Sequence, residues 1–342
     1  MAEAARAGDL KQVTKLLDAG LPVSAVLAPD DYKGEAPKYQ AIHLAAYRRH
    51  VAVVRLLLDR GANVNARDSY GTTPLQSSGD LETARFLFSR GAKVVVDGDA
   101  GGGCINSAAA QGDISMIRFF LNHGAKINAL EKITGHRPMH SAVFASGPDG
   151  IVGTCTYLLE HGADPRSKTG RVEFDSPAGQ EPLHLLASRQ TSDITEEVKA
   201  AELLIRHGAS VTAVDAKGQQ PLHVAGHKEM VSLLLANGAP VNPCDNEQRQ
   251  PIHRFVFFPD GEMIKVLLDH GADIDALDGD GNTALDIAAL CGNDHVIKVL
   301  LARGARPTQK TIKTLIESEG VDSSTARLLR SARFRVGRLA GQ

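Results

Sequence analysis

A Gly-Ala pair recurs along the chain at Gly61, Gly91, Gly124, Gly162, Gly208, Gly238, Gly271 and Gly304. The successive spacings are 30, 33, 38, 46, 30, 33 and 33 residues. Nearly every pair closes an apolar, helix-like stretch, as in VVRLLLDRGA, MIRFFLNHGA and VSLLLANGA. Self-similarity at this period constrains the fold more than composition can. Each unit is too small to bury its own apolar face, so the units must stack. A stack grows in one dimension, so 342 residues need not divide into two or three separate cores.

A second motif keeps phase with the first. It reads AIHL from Ala41, TPLQ from Thr73, PMHS from Pro138, PLHL from Pro182, PLHV from Pro221, PIHR from Pro251 and TALD from Thr283. Its chemistry is that of a helix start. Thr73 suits an N-cap, and Pro74 falls at the first helical position, where its missing N–H is harmless. Each Gly-Ala glycine follows a helix and suits the left-handed conformation that ends it. Gly71, Gly218 and Gly281 fall in turns where positive φ is wanted.

These residues together resemble the ankyrin repeat, and the resemblance covers residues 1 to 308. It implies an all-α solenoid whose unit is a β-turn or hairpin followed by two antiparallel helices. We expect a right-curving stack of about eight full repeats. A capping half-repeat would occupy residues 1–27, the repeats 28–308, and a helical cap with a basic tail 309–342. Residues 311–318 and 324–336 read as the two helices of that cap.

The irregular spacings locate the departures from this unit. The step from Pro251 to Gly271 is 20 residues, but only 17 from Pro74 to Gly91 and from Pro221 to Gly238. The second and sixth full repeats therefore lose three residues near the turn between their helices. The fifth repeat is long, with seven extra residues between Gly162 and Pro182 and six around RQTSDITEEVK. The first also has a long hairpin loop, from Ala28 to Tyr39. Such insertions are surface loops and sometimes binding loops.

Few residues invite a catalytic reading. His43, His140, His184, His223 and His253 share one motif position. Stacked helices lie about 8–10 Å apart, whereas metal-bound nitrogens sit about 2 Å from one ion. Equivalent histidines therefore cannot share a metal, and the resemblance implies that they order turns between repeats by hydrogen bonds. His123, His161, His207 and His270 stand in the last turn of a helix, where an imidazole suits the dipole. The glycines of GDAGGG, from Gly98 to Gly103, lack the following Lys-Ser/Thr of a phosphate loop. No HExxH, GxSxG or kinase signature occurs. We expect no catalytic residue, no metal and no cofactor.

Composition narrows the partner. The formal charge of −2 disfavours bulk attraction to nucleic acid. No apolar run is long enough to span a bilayer, and MAEAARAGDLKQV has no signal-peptide core. Cys104, Cys155, Cys244 and Cys291 form no CxxC pair and read as free thiols. We expect an intracellular protein, cytoplasmic or nuclear, and a monomer. The resemblance implies that a protein or peptide is bound in the concave groove, by hairpin tips and the exposed side of each first helix. Counting in phase places Tyr39, Tyr47, Arg48, Tyr70, His136, Phe144, Arg189, Gln219, Arg249, Phe257 and Phe258 there. Aromatics are only 4% of the chain, yet six of these eleven are aromatic. Aromatic and arginine side chains are the usual anchors of interfaces. Within Phe255-Val256-Phe257-Phe258, one helix face cannot bury all four side chains. An enzyme or small-molecule binder, with a groove pocket closed by the first- and fifth-repeat insertions, is the alternative.

Two further features admit more than one reading. Arg327, Arg330, Arg333, Arg335 and Arg338 could be a solvated capping helix or a contact for an acidic protein, nucleic acid or anionic lipid. Asn65, Asn128 and Asn242 resemble asparagines that hydroxylases modify in ankyrin proteins, and read equally as plain turn residues.

Overall fold

The computed structural model describes residues 1–27, 39–94, 103–131, 134–170, 178–191 and 193–311. The first hairpin loop, most of the GDAGGG run, the arginine-rich tail and all but Thr311 of the expected C-terminal helices lie outside them. The chain forms two compact units, Met1–Ala178 and Gly179–Gln342.

Both units are built from pairs of helices, an inner one and an outer one at least as long. In the first unit the pairs include Ala41–Tyr47 with Val51–Asp59, Gly103–Gln111 with Ile114–Asn122, and Pro138–Ala142 with Gly150–Glu160. Ala2–Ala7 and Leu10–Asp18 form a pair at its start. The second unit contains Pro182–Ala187 with Ile194–Arg206, Pro221–Val224 with Lys228–Ala236, Pro251–Arg254 with Glu262–Asp269, and Ala284–Leu290 with Asp294–Ala302. Among the described residues the one sheet is a two-residue ladder, Val26–Leu27 antiparallel to Tyr39–Gln40.

Local chemistry sets each boundary. Asp9, Asp80, Asp113, Asp193 and Asn293 cap outer helices, each side chain accepting a backbone N–H three residues on. At the far end the Gly-Ala glycines adopt φ between 86° and 97°, as the sequence requires. The following alanine turns inward and is buried at Ala92, Ala163, Ala209 and Ala305. Several outer helices bury apolar residues at i, i+1 and i+4, such as Val53, Val54 and Leu57, or Met263, Ile264 and Leu267. Each such side chain contributes about 1.5–3 kcal/mol.

One aspartate organises each regular hairpin. Oδ1 of Asp68, Asp215, Asp245 and Asp278 accepts the backbone N–H groups two and four residues on. Gly71, Gly218 and Gly281 then take φ of 72–75°. In the hairpin of Asp245 the same position is Gln248, held at φ 57°.

The deletions fall at the ends of the inner helices, next to the turns between helices. In the second full repeat no first helix forms. Residues 74–77 make a turn, although Thr73 and Gln76 still exchange capping bonds, Thr73 N–H to Gln76 Oε1 at 2.7 Å and Gln76 N–H to Thr73 Oγ1 at 3.4 Å. In the sixth, Pro221–Val224 stops after four residues. Most of the six extra residues of the fifth repeat take a different form from a loop: Ile194–Arg206 is lengthened to 13 residues, against nine in Lys228–Ala236. The seven extra hairpin residues lie largely within 171–177, outside the described residues.

Candidate functional site

The motif histidines are framework. Nδ1 of His43, His140, His184, His223 and His253 accepts the N–H of the residue three before, at 3.0–3.3 Å. That leaves the proton on Nε2. From there His43 donates to the Ala66 and Thr72 carbonyls, His184 to Gln219, His223 to Pro243 and Arg249, and His253 to Ala276. Each ring thus fastens its helix to the next hairpin. Burial lowers the pKa of His223, outweighing its carbonyl bonds and the charge of Asp245.

Where the histidine is replaced, the task survives in other chemistry. Asn106 Nδ2 donates to the His136 carbonyl at 3.0 Å. Asp286 accepts from the hydroxyls of Thr283, Thr308 and Thr311. Burial raises the Asp286 pKa, but these bonds hold it below the ordinary carboxylate value. The second histidine row is also structural. Nδ1 of His123, His161, His207 and His270 bonds the carbonyl four residues back. Asn65, Asn128 and Asn242 brace neighbouring repeats, donating to the carbonyls of Gly91, Gly162 and Gly271.

The eleven expected binding residues divide. Tyr47, Tyr70, Phe144 and Phe257 are exposed, at 59%, 51%, 41% and 63%. Arg48 is exposed beside Tyr47, its guanidinium 5.6 Å from the ring centroid. Tyr39 is half-buried in the short ladder, and His136 is half-buried and stacked on His140. Burial lowers the His136 pKa, opposed by the charge of Glu131.

The remaining four are placed in the framework. Gln219 is only 4% exposed, because the return leg of its hairpin tucks under His184. Arg189 donates Nε to Glu197, at 2.8 Å, and Arg249 pairs with Asp245 and Glu247. The Phe255–Phe258 run resolves through a 3-10 turn over Phe255–Phe257. Phe255 and Val256 are buried, Phe258 stands edge-on to Phe255, and Phe257 points out.

A regularity emerges that counting in phase did not show. Tyr47, Phe144, Phe257 and Leu290 all stand at or just beyond the C-terminal end of an inner helix. Leu290, absent from the expected set, is 62% exposed. The signal was available, since Leu290 lies six residues after Ala284, as Phe257 lies six after the equivalent Pro251.

The described residues contain no helix long and apolar enough to cross a membrane. The chain matches the sequence model of ankyrin repeats (3 copies) over residues 1–98, 170–245 and 225–311. It is 32% identical over 193 residues to ankyrin repeat and SOCS box protein 16 of Mus musculus, covering 54% of this chain and 40% of that protein. It is 40% identical over 91 residues to the transient receptor potential cation channel subfamily A member 1 homolog of Caenorhabditis elegans, covering 26% of this chain and 7% of that one. The chain thus spans less than half the length of either relative. The solved ankyrin repeat domain of human ASB11 superposes with a TM-score of 0.51 and 25% identity, over 70% of this chain and 97% of that domain.

Proposed function

Because this chain belongs to the ankyrin-repeat family, we propose that it is a non-catalytic scaffold or adaptor recognising a protein or peptide through its inner-helix ends and hairpin tips. One observation carries the reading. Large apolar side chains are exposed at a repeated position, at Tyr47 and Phe144 in the first unit and at Phe257 and Leu290 in the second. A solvent-facing aromatic repeated in register is costly to solubility unless a partner covers it. The side chains stand on capped, hydrogen-bonded helices, so little ordering entropy is lost on binding. The formal charge of −2 favours a protein over nucleic acid. The four free cysteines support an intracellular setting, cytoplasmic or nuclear.

The test is affinity capture from cell lysate with the full chain, beside two variants. One carries Tyr47→Ala and Phe144→Ala, the other Phe257→Ala and Leu290→Ala. Each should keep its far-UV circular dichroism, since the altered side chains are exposed. At least one should lose a protein that the wild type recovers, with affinity falling about tenfold or more. Two variants that both retain every captured protein at wild-type affinity would sink the reading.

A further inference from the structure

Arg254 breaks its own row. It follows the motif histidine on an inner helix, where the other repeats of the second unit place Leu185, Val224 and Ile287. All four positions are half-buried. Among the described residues the Arg254 guanidinium makes no hydrogen bond or ion pair. Burial lowers its pKa, and repulsion from the Arg249 guanidinium adds to this; Asp245, Glu247 and Asp215 oppose both from a distance. Asp245 and Glu247 are already engaged by Arg249, at 3.0 and 2.7 Å. A half-buried cation without a partner is an unfavourable arrangement that a ligand carboxylate would relieve.

Its neighbours say what else the ligand carries. Phe257 lies three residues on, across the 3-10 turn, and so shares a face with Arg254. The adjacent inner helix, Ala284–Leu290, packs against this segment. On it Ile287 is half-buried and Leu290 exposed, again three residues apart. Two neighbouring helices thus present one guanidinium among three apolar side chains.

We propose that Arg254, Phe257, Ile287 and Leu290 form the contact for an acidic segment of a protein partner. One aspartate or glutamate carboxylate seats on the Arg254 guanidinium, and a nearby large apolar side chain lies against Phe257 and Leu290. The inference rests on the binding role proposed above and adds the partner's chemistry. Arginine suits this role because its planar fork meets a carboxylate with two parallel bonds. Asp215, Asp245 and Glu247 in the surroundings limit the charge that can be accepted. They favour a single carboxylate in an apolar context over a polyanion or an acidic run.

The probe is a phage-displayed library of linear random peptides, selected on the full chain. The recovered peptides should share an Asp or Glu within a few residues of Leu, Phe, Tyr or Trp. A synthetic copy of the most enriched one should bind Arg254→Met at least about tenfold more weakly than wild type. Selection on Arg254→Glu should instead recover Lys or Arg at the acidic place. Arg254→Met should unfold at a Tm equal to or above wild type, because it removes an unpaired charge. Peptides without acidic enrichment that still depend on Phe257 would overturn the acidic partner while leaving the apolar row intact. Peptides indifferent to Phe257→Ala and Leu290→Ala, or no enrichment at all, would overturn both.

Discussion

The two shortened repeats lose the same three residues and close the gap with the same device, but in different surroundings. In each, the inner segment ends early and a glycine turns the chain into the outer helix. Gly79 N–H donates to the Ala46 carbonyl at 3.1 Å, and Gly226 N–H to the Ala187 carbonyl at 2.8 Å. Both bonds reach back to the inner helix of the preceding repeat. A Cβ at Gly79 would lie 2.4 Å from the Tyr47 carbonyl oxygen, and one at Gly226 only 2.2 Å from that of Arg189. The repeat preceding Gly226, however, is the long one, and it supplies a polar knot that the described residues of the first unit do not repeat. Glu197 is wholly buried and accepts from Arg189 Nε at 2.8 Å, Thr191 Oγ1 at 2.6 Å and His227 Nε2 at 3.2 Å. His227 also caps the following helix, Nδ1 accepting from Met230 N–H. An insertion in one repeat thus braces a deletion in the next.

The largest effect should come from the shared device. Gly79→Ala and Gly226→Ala each force a methyl into a backbone carbonyl, which must move. Each should destabilise its own unit by about 3 kcal/mol, the upper range for overpacking. Native-state hydrogen exchange would show the loss at the outer helices Leu81–Ser89 and Lys228–Ala236 respectively. Equal losses would mean that backbone contact dominates both turns. A clearly smaller loss at Gly226 would mean that the polar knot absorbs the strain.

The next test separates the two turns. Glu197→Gln keeps the shape of the side chain but removes the charge that Arg189 and His227 share. Breaking a buried pair costs about 3–5 kcal/mol, and the partial exposure of Arg189 reduces this to about 2. Protection should fall over residues 186–197 and 226–231 and stay unchanged over 75–84. An equal fall in the shortened repeat of the first unit would remove the distinction between the two.

This contrast also shows what the sequence made legible. The Gly-Ala spacing located both deletions near the turns between helices, because helix-ending glycines and helix-starting prolines are fixed points for counting, and the structure places them at the ends of the inner helices. The motif histidines were readable as turn-ordering residues for the same reason. Counting could not show which way a hairpin side chain faces. Gln219 and Arg249 occupy equivalent tip positions, yet one is buried and the other pairs with its own hairpin aspartate. Nor could it show that Arg189 would meet Glu197, eight residues on, because that contact depends on how the inserted residues fold. Most of them extend a helix, which brings the carboxylate back onto the turn. Residues 73–78 failed to form the expected helix although Thr73 and Pro74 are good starters. Three missing residues cut the inner segment to a four-residue helix at Pro221–Val224 and to a turn at residues 74–77, and the glycine makes the turn in both.

Acid should discriminate between the two shortened repeats without any mutation, with the smallest effect of the three. At the motif position one carries His223 and the other Gln76, which does not titrate. Burial holds the His223 pKa below its ordinary value, so the unfolded chain binds the proton more readily than the folded one. The stabilisation from the neutral ring is therefore complete above histidine's ordinary value of about 6.5 and is lost as pH falls through it toward the lowered folded value. Asp245, which bonds within the hairpin that His223 holds, has a pKa below the ordinary carboxylate value despite its burial, because Arg249 and backbone N–H groups favour its charge. It stays ionised across this window. Between about pH 7 and about pH 5, exchange protection corrected for intrinsic rates should fall around Pro221–Val224 and hold steady around residues 74–78. A parallel fall in both segments would trace the acid response to a feature they share, and His223 would lose its place as the titrating brace.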